Sequence, residues 1–208
     1  MRVGLAVLVL VAVAATAKKA AAQDGVFYAK FEVANLDGQP GDDHKGSFVM
    51  EIHTDWAPLG VARMKELLET DFFSGVRFFR VIDNFMAQFG ISGKPSVAEE
   101  WRSKSITDDP VKESNKRGFV SFATSGQDSR TTQMFINFRD NTNLDGMGFS
   151  PFAKVVSGMD VVDRIFKVGE RPNQGMIQSR GNAYLKKDFP QLTYITKASI
   201  VDGPDNDL

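Results

Sequence analysis

One arginine lies among aromatic residues in the stretch FFRVIDNFMAQFG, which runs from Phe78 to Gly90. A guanidinium is rarely buried without a partner, because removing its charge from water costs far more free energy than packing its stem returns. Arg80 is therefore either a solvated residue on a half-buried strand or a residue held at the rim of an apolar pocket. In the second case it can act on a molecule bound there, and Gln88 is close enough in sequence to orient it.

Few other residues offer catalytic chemistry. The chain has no cysteine, which excludes a disulfide framework, a thiolate nucleophile and a thiolate metal site. His44 and His53 are the two histidines, and the sequence contains no G-x-S-x-G, P-loop or G-x-G-x-x-G motif. His53 follows the alternating run SFVMEIH, so we predict that it is an outward-facing strand residue. We expect no metal and no cofactor.

The composition is that of a soluble globular protein. The 208 residues are 42% hydrophobic and 25% charged, and this length suits one domain with a sizeable core. The formal net charge is -1, and no run of basic residues indicates a phosphate-binding face. Nucleic acid is therefore not expected as a partner.

Residues 1–22 are typical of a secretory signal peptide. A basic start at Arg2 precedes an apolar run from Val3 to Ala17, which is shorter than the roughly 20 residues of a spanning helix. Cleavage is expected after Ala17 or Ala22, and an uncleaved signal anchor is the alternative. Cleavage after Ala22 leaves 22 basic and 26 acidic residues, a net charge of -4. We expect a mature protein of the secretory pathway (extracellular, endoplasmic reticulum lumen or periplasm) without a stable membrane span.

The elements that must position Arg80 are mostly strands. From Val26 the pattern has period two, with one apolar face made by Phe27, Ala29, Phe31 and Val33. SFVMEIH predicts a second strand, and the spacing of apolar residues after Pro58 predicts a helix up to about Thr70. Further strands are predicted in VRFFRVI, GFVSFAT, QMFINF and PFAKVV, and a second short helix is predicted near Met159. Many short strands with two helices favour a single antiparallel barrel or sandwich.

The polar segment from Lys94 to Lys116 is weakly periodic and is predicted to be a long loop. Loops of this length in compact domains are often functional.

Three linked blocks resemble the cyclophilins, a family of peptidyl-prolyl cis-trans isomerases (rotamases). FFRVIDNFMAQFG is similar to the family's F-H-R-[IV]-I-P-x-F-M-x-Q-G-G, and GFVSFATSGQDSRTTQMFIN is similar to G-x-[LV]-S-M-A-N-x-G-x-x-[ST]-x-x-S-Q-F-[FY]-I. LDGMGFSPFAKVVSGMDVVDRI is similar to the family's L-D-G-x-[HY]-x-x-F-G-x-V-x-x-G-M-x-[VI]-V-x-x-I. The resemblance spans about Val26 to Asp202, and we place the domain at residues 25–203. It implies a mainly β fold, a closed eight-stranded antiparallel barrel capped by two α-helices, with the groove on its outer surface.

The resemblance also implies the roles of individual residues. Arg80 matches the catalytic arginine of the family, and Gln88 is a polar catalytic partner. The substrate-binding positions are Phe85, Met86, Ala123, Thr124, Gln133, Phe135, Leu144 and Phe149. The implied partners are proline-containing polypeptides, the implied biological role is assistance to protein folding, and we expect a monomer.

These residues suit the reaction on chemical grounds. A prolyl peptide bond has a rotational barrier of about 18–20 kcal/mol and isomerises unaided in tens to hundreds of seconds. No bond is made or broken, so the reaction needs no nucleophile, metal or tuned acid-base pair. A dry slot for the pyrrolidine ring and a fixed donor that favours the twisted amide are sufficient.

Several positions depart from the family pattern. Thr124 stands in place of the family's asparagine and Asn143 in place of its tryptophan, and the groove histidine is missing near Phe149, which could replace it. Further departures are Phe79, Asp83, Asn84 and Phe89. Because Arg80 and the apolar positions are retained, we predict an active enzyme. The alternatives are a non-catalytic module that binds proline-containing segments, and a holding chaperone for which isomerisation is incidental.

Overall fold

The computed structural model describes residues 25–204 and shows a mainly β fold. Within this range eight strands form one antiparallel sheet, in the order β3-β4-β6-β5-β7-β2-β1-β8. The strands are β1 Val26–Ala34, β2 Lys45–His53, β3 Arg80–Ile82, β4 Met86–Phe89, β5 Phe119–Phe122, β6 Met134–Asn137, β7 Pro151–Ser157 and β8 Tyr194–Val201.

The sheet is an open half-barrel that curves through 217°, so the prediction of a closed barrel is wrong. Its two edges are β3 and β8, and β3 has only three residues. β3 pairs with β4, and no strand ladder joins β3 to β8 to close the described sheet. The segment before β3 contacts β8 through an isolated bridge between Arg77 and Tyr194.

Four α-helices lie within the described residues, whereas two were predicted. They are α1 Pro58–Glu69, α2 Pro95–Arg102, α3 Met159–Asp163 and α4 Gln174–Asp188. The helices α1 and α3 match the predicted positions, and Pro58 occupies the first turn of α1, where its missing N–H is no loss. The helix α4 is interrupted at Gly181, whose backbone has φ 56° and where any side chain would collide with the backbone of Gly93.

The period-two pattern of β1 and β2 places their apolar faces in the core, as predicted. Phe31 and Phe48 are opposite each other across the two strands, and their rings stack at 5.2 Å between centroids. Both side chains are fully buried. Aromatic rings contribute most of the interior around this pair. The largest of these buried residues are Phe73, Phe78, Phe79, Phe89, Phe122 and Phe152.

The polar segment predicted as a loop between Lys94 and Lys116 contains α2 and is anchored to α1. The buried carboxylate of Asp109 accepts hydrogen bonds from the backbone N–H groups of Leu59 (3.1 Å) and Gly60 (2.9 Å). Arg130, which is also buried, holds the same carboxylate at 3.1 Å. These contacts satisfy free N–H groups in the first turn of α1.

The predicted signal peptide, residues 1–22, lies outside the described residues. Among residues 25–204, no helix combines the length and the apolar character needed to cross a membrane.

Candidate functional site

A cleft with a volume of about 140 Å³ opens on the outer surface of the sheet beside β3, β4 and β6. Nine of the ten predicted site residues line it. They are Arg80, Phe85, Met86, Gln88, Ala123, Thr124, Phe135, Leu144 and Phe149. The tenth, Gln133, adjoins the cleft through a hydrogen bond of 2.9 Å between its Oε1 and the Nε2 of Gln88.

The strand alternation explains why some of these residues face the cleft. In β4, Ala87 and Phe89 lie in the main core, so Met86 and Gln88 project from the opposite face. Phe135 of β6 is directly opposite Gln88 and projects from the same face. A sequence of alternating apolar and polar residues would make this pattern obvious, but here both faces of each strand are buried.

The apolar part of the cleft, which we call the slot, consists of Phe85, Met86, Phe135, Leu144 and Phe149. Met86, Phe135 and Leu144 form a cluster separate from the main core. The rings of Phe135 and Phe149 meet edge to face at 5.5 Å between centroids. Phe78, which precedes the slot residues in the same sequence block, lies instead in the main core. The slot is a small apolar cavity that can accept a ring of the size of pyrrolidine.

Three buried asparagines, Asn115, Asn137 and Asn141, support the slot from behind, and we call them the asparagine network. The Nδ2 of Asn115 donates to the backbone carbonyl of Phe149 at 2.8 Å. The Nδ2 of Asn141 donates to the carbonyl of Phe85 at 2.9 Å and to the Oδ1 of Asn137 at 2.8 Å. The network therefore fixes the backbone of two slot residues.

Asp145 joins the same network from the turn that carries Leu144. Its Oδ1 accepts hydrogen bonds of 2.8 Å from both the backbone N–H and the Nδ2 of Asn115, and its Oδ2 accepts one of 2.5 Å from Ser114. Burial alone would raise the pKa of Asp145, but these hydrogen bonds outweigh it and lower the pKa below its usual value. The carboxylate is thus held in its charged form.

Arg80 begins β3 and lies at the polar side of the cleft. Its side chain is 30% exposed, so the guanidinium is at the rim and not in the interior. A tight turn with Asn84 at φ 52° returns the chain into β4, which places Gln88 directly opposite Arg80. The Nη1 of Arg80 donates to the Oε1 of Gln88 at 3.2 Å and lies 3.9 Å from the sulfur of Met86. The guanidinium carbon is 6.0 Å from the ring centre of Phe85, within the range of a cation–π contact.

Glu170 is a site residue that the sequence reasoning did not identify. Its Oε1 lies 2.7 Å from the Nε and 2.5 Å from the Nη2 of Arg80. The two residues are 90 positions apart, and no local pattern distinguishes Glu170 from other surface carboxylates.

The segment at Ala123 and Thr124 forms another wall of the cleft. The N–H of Ala123 donates to the carbonyl of Gln133 at 2.9 Å, so this donor is already used within the protein. The Thr124 hydroxyl bonds within the following turn, where it lies 2.8 Å from the Oγ of Ser129. Asn143, which the family resemblance aligns with a tryptophan, is exposed and adjoins Leu144.

The cleft offers a cation and amide groups but no acid-base pair of its own. Neither histidine lines it. Within residues 25–204, no three side chains of His, Cys, Asp or Glu converge as metal ligands would. What the arrangement can do is accept an apolar ring in the slot while a hydrogen-bond donor lies beside it.

The fold and the cleft define an antiparallel β protein with a surface groove that combines an apolar slot and an arginine. Residues 39–181 match the model of the family described as cyclophilin type peptidyl-prolyl cis-trans isomerase/CLD. The chain therefore belongs to the cyclophilin-type peptidyl-prolyl cis-trans isomerases, which is the family expected from the three sequence blocks, and its class is that of an isomerase.

Curated relatives carry the same family name. The chain is 35% identical over 129 residues to a peptidyl-prolyl cis-trans isomerase of Acinetobacter baylyi, which covers 59% of this chain and 68% of that protein. It is 35% identical over 145 residues to peptidyl-prolyl cis-trans isomerase A of Dickeya dadantii (64% and 73% covered). It is 34% identical over 134 residues to peptidyl-prolyl cis-trans isomerase B of Escherichia coli (58% and 78% covered).

Proposed function

We propose that the cleft catalyses the cis-trans isomerisation of X-Pro bonds in polypeptides, with the proline ring in the slot and Arg80 as the catalytic donor. The observation that carries this proposal is the position of the Nη1 of Arg80, which lies beside Met86 at the wall of the slot. A proline bound there would present its amide nitrogen to this side of the cleft.

The chemical role of Arg80 follows from the electronic structure of the amide. As the bond twists, conjugation is lost and the nitrogen regains a lone pair, which can accept a hydrogen bond. A donor that is already in place favours the twisted state over the planar states, and this difference lowers the barrier. Arginine suits the role because it stays charged at any working pH and its N–H groups form a rigid fork.

One hydrogen-bond donor can supply most of the barrier reduction that this catalysis requires. Raising the rate from about 0.01 to about 10 per second lowers the barrier by roughly 4 kcal/mol. One preorganised donor in a water-poor site contributes about 3–4 kcal/mol by analogy with oxyanion holes. Gln88, itself held by Gln133, orients the guanidinium, and the slot excludes water from the ring.

The test is a protease-coupled assay on a proline tetrapeptide with Arg80→Ala. We expect a barrier higher by about 2–4 kcal/mol with an unchanged melting temperature, because the substitution removes a donor and little core volume. Arg164→Ala is the matched control, since Arg164 is 39% exposed and forms an ion pair with Asp37 outside the cleft. Unchanged turnover in Arg80→Ala would contradict the role assigned to Arg80.

The same assay separates the enzyme from a non-catalytic module. A module would bind the tetrapeptide without accelerating its isomerisation, whereas the proposed enzyme gives turnover that a proline-free peptide does not show. Retention of Arg80 beside an intact slot favours the enzyme.

We also propose that the protein works on unfolded clients in the secretory pathway, as a monomer, after removal of a signal peptide that ends at Ala17 or Ala22. The support is the short apolar run and the small residues around Ala17 and Ala22. N-terminal sequencing of the protein from its native host should find a chain that begins at residue 18 or 23. A mature chain that begins at Met1 would contradict the proposal.

A further inference from the structure

We infer that Glu170 is a positioning residue for the isomerase reaction, which holds one edge of the Arg80 guanidinium so that the other edge faces the slot. The inference rests on the proposed function, because Glu170 acts only through Arg80. The Oε1 of Glu170 binds the Nε and Nη2 edge, at 2.7 and 2.5 Å. This leaves Nη1 directed toward Gln88 and Met86.

The backbone places Glu170 at this point. Val81 and Gly169 form an antiparallel bridge with two hydrogen bonds, of 3.1 Å from the Val81 N–H and 2.8 Å from the Gly169 N–H. In an antiparallel bridge the residue before Val81 and the residue after Gly169 are opposite each other, so Arg80 and Glu170 form a cross-strand pair. Gly169 has φ +71°, a backbone conformation that side-chain-bearing residues rarely adopt.

Arg80 thus lies between two cross-strand partners. On one side β4 supplies Gln88, a neutral acceptor at 3.2 Å. On the other side the turn at Gly169 supplies the carboxylate of Glu170. An arginine on an edge strand has several rotatable bonds, and a single neutral hydrogen bond constrains them weakly. The carboxylate supplies the second point of contact that fixes the plane of the guanidinium.

The geometry distinguishes positioning from masking. A carboxylate that masked the arginine would occupy the nitrogen that faces the slot. Glu170 instead binds the Nε and Nη2 edge, which lies away from Met86. Its side chain is 62% exposed, so the ion pair contributes little to the stability of the fold. Its loss should therefore change turnover and leave stability unchanged.

The experiment measures kcat, KM and melting temperature for Glu170→Ala and Glu170→Gln, each in the wild-type chain and in Arg80→Ala. We expect kcat of Glu170→Ala to fall about tenfold with KM within about twofold, since the donor remains but its orientation is lost. The kcat of Glu170→Gln should lie between those of the wild type and Glu170→Ala, because the glutamine amide oxygen can still accept a hydrogen bond from the Nε of Arg80. In the Arg80→Ala chain, neither substitution should lower kcat further.

Asp163→Asn is the matched control. Asp163 is 44% exposed and forms a two-point ion pair with Arg117 outside the cleft. The kcat of Asp163→Asn should therefore equal that of the wild type. If Arg80→Ala lowers kcat but the Glu170 variants match the wild type or exceed it, positioning by Glu170 is refuted while the role of Arg80 stands. If Arg80→Ala itself leaves kcat unchanged, the proposed function and this inference both fail. A further loss in the double variant would show that Glu170 acts independently of Arg80, contrary to the inference.

Discussion

The slot and the side chain of Arg80 lie in one cleft, but different kinds of polar contact hold them. The slot is supported by the asparagine network, whose members Asn115, Asn137 and Asn141 are 0%, 0% and 1% exposed. At the rim, Arg80 is held by Gln88 and also by Glu170, a carboxylate that is largely in water. The polar contacts that support the slot are thus buried, and the carboxylate at the rim is exposed to solvent.

This difference separates stability from turnover. A buried polar group that loses its partner costs the free energy of desolvation that its hydrogen bond had offset. An exposed ion pair contributes little to folding, because water solvates both of its members when they separate. Substitutions behind the slot should therefore lower the stability of the fold, and substitutions at the rim should mainly change the rate.

The largest effect is expected from Asn115→Ala. The substitution leaves the carbonyl of Phe149 and the hydroxyl of Ser121 without their present partners, since both bond the Asn115 amide at 2.8 Å. At about 1–3 kcal/mol for each unsatisfied group, the free energy of unfolding should fall by about 4 kcal/mol. The melting temperature should fall by roughly 10 °C, which calorimetry or circular dichroism would measure.

Asn143→Ala is the control for this comparison, because Asn143 is an exposed asparagine in the turn beside Leu144. It should change the melting temperature by no more than about 2 °C. Equal melting temperatures for the Asn115 and Asn143 variants would show that the network does not support the slot.

Asn143 provides a second, smaller test, in the turn beside the slot residue Leu144. The family resemblance implies that cyclosporin binding uses an indole N–H at a tryptophan position, with which Asn143 of this chain aligns. We expect weak inhibition here, because the drug loses a hydrogen bond of about 1 kcal/mol and much apolar contact. Asn143→Trp should tighten inhibition at least several-fold with little change in turnover, in a titration of both forms. Inhibition of the unmodified protein at nanomolar concentrations would mean that Asn143 does not occupy that position, or that another residue makes its contacts.

The smallest effect is expected from a fall in pH, which should lower the unfolding free energy through Asp145 beside the slot. The pKa of Asp145 is lowered in the folded protein: burial opposes this shift, and the hydrogen bonds from Ser114 and Asn115 prevail. A carboxyl with a lowered pKa stabilises the fold above its unfolded value, about pH 4, and this contribution is lost as the pH falls through the folded value. The difference in unfolding free energy between wild type and Asp145→Asn, measured by denaturant titration, should therefore narrow as the pH falls below about 4. A constant difference in unfolding free energy would contradict this role.

Local pattern predicted the regular parts of the fold well. The alternation in β1 and β2 and the spacing after Pro58 correctly indicated two strands and α1, because each has one face in the core. The closed barrel, which the family resemblance implied, was wrong, because β3 and β8 remain the two edges of an open sheet. Only the last three residues of VRFFRVI pair as a strand, although all seven have strand-like character.

Two helices and the last strand were not predicted from the local pattern. In α4 the interruption at Gly181 and the wide spacing of Ile177 and Leu185 conceal the helical period. The helix α2 lies in a segment whose polar residues indicated a loop. The edge strand β8 has exposed Thr196 and Lys197 where alternation would require one buried residue.

Some residues of the candidate site could be predicted from the sequence, and others could not. The residues that line the cleft belong to sequence blocks that the family resemblance identifies. Glu170 and the asparagine network act through contacts between distant parts of the chain, and their residue types are common on surfaces. Only the three-dimensional arrangement shows that Asn115 is buried or that Glu170 is opposite Arg80.

The position of β1 in the sheet has a consequence for how the chain folds as it is made. β1 lies between β2 and β8, and Thr196 of β8 bonds the carbonyl of Glu32, 164 positions earlier. At about 5–20 residues per second, the ribosome completes β8 roughly 8–30 s after β1. One edge of β1 stays unpaired through this interval and can pair with other nascent chains. The sheet is therefore completed only late in synthesis, and its distant pairing makes refolding slow compared with that of helical proteins of similar size.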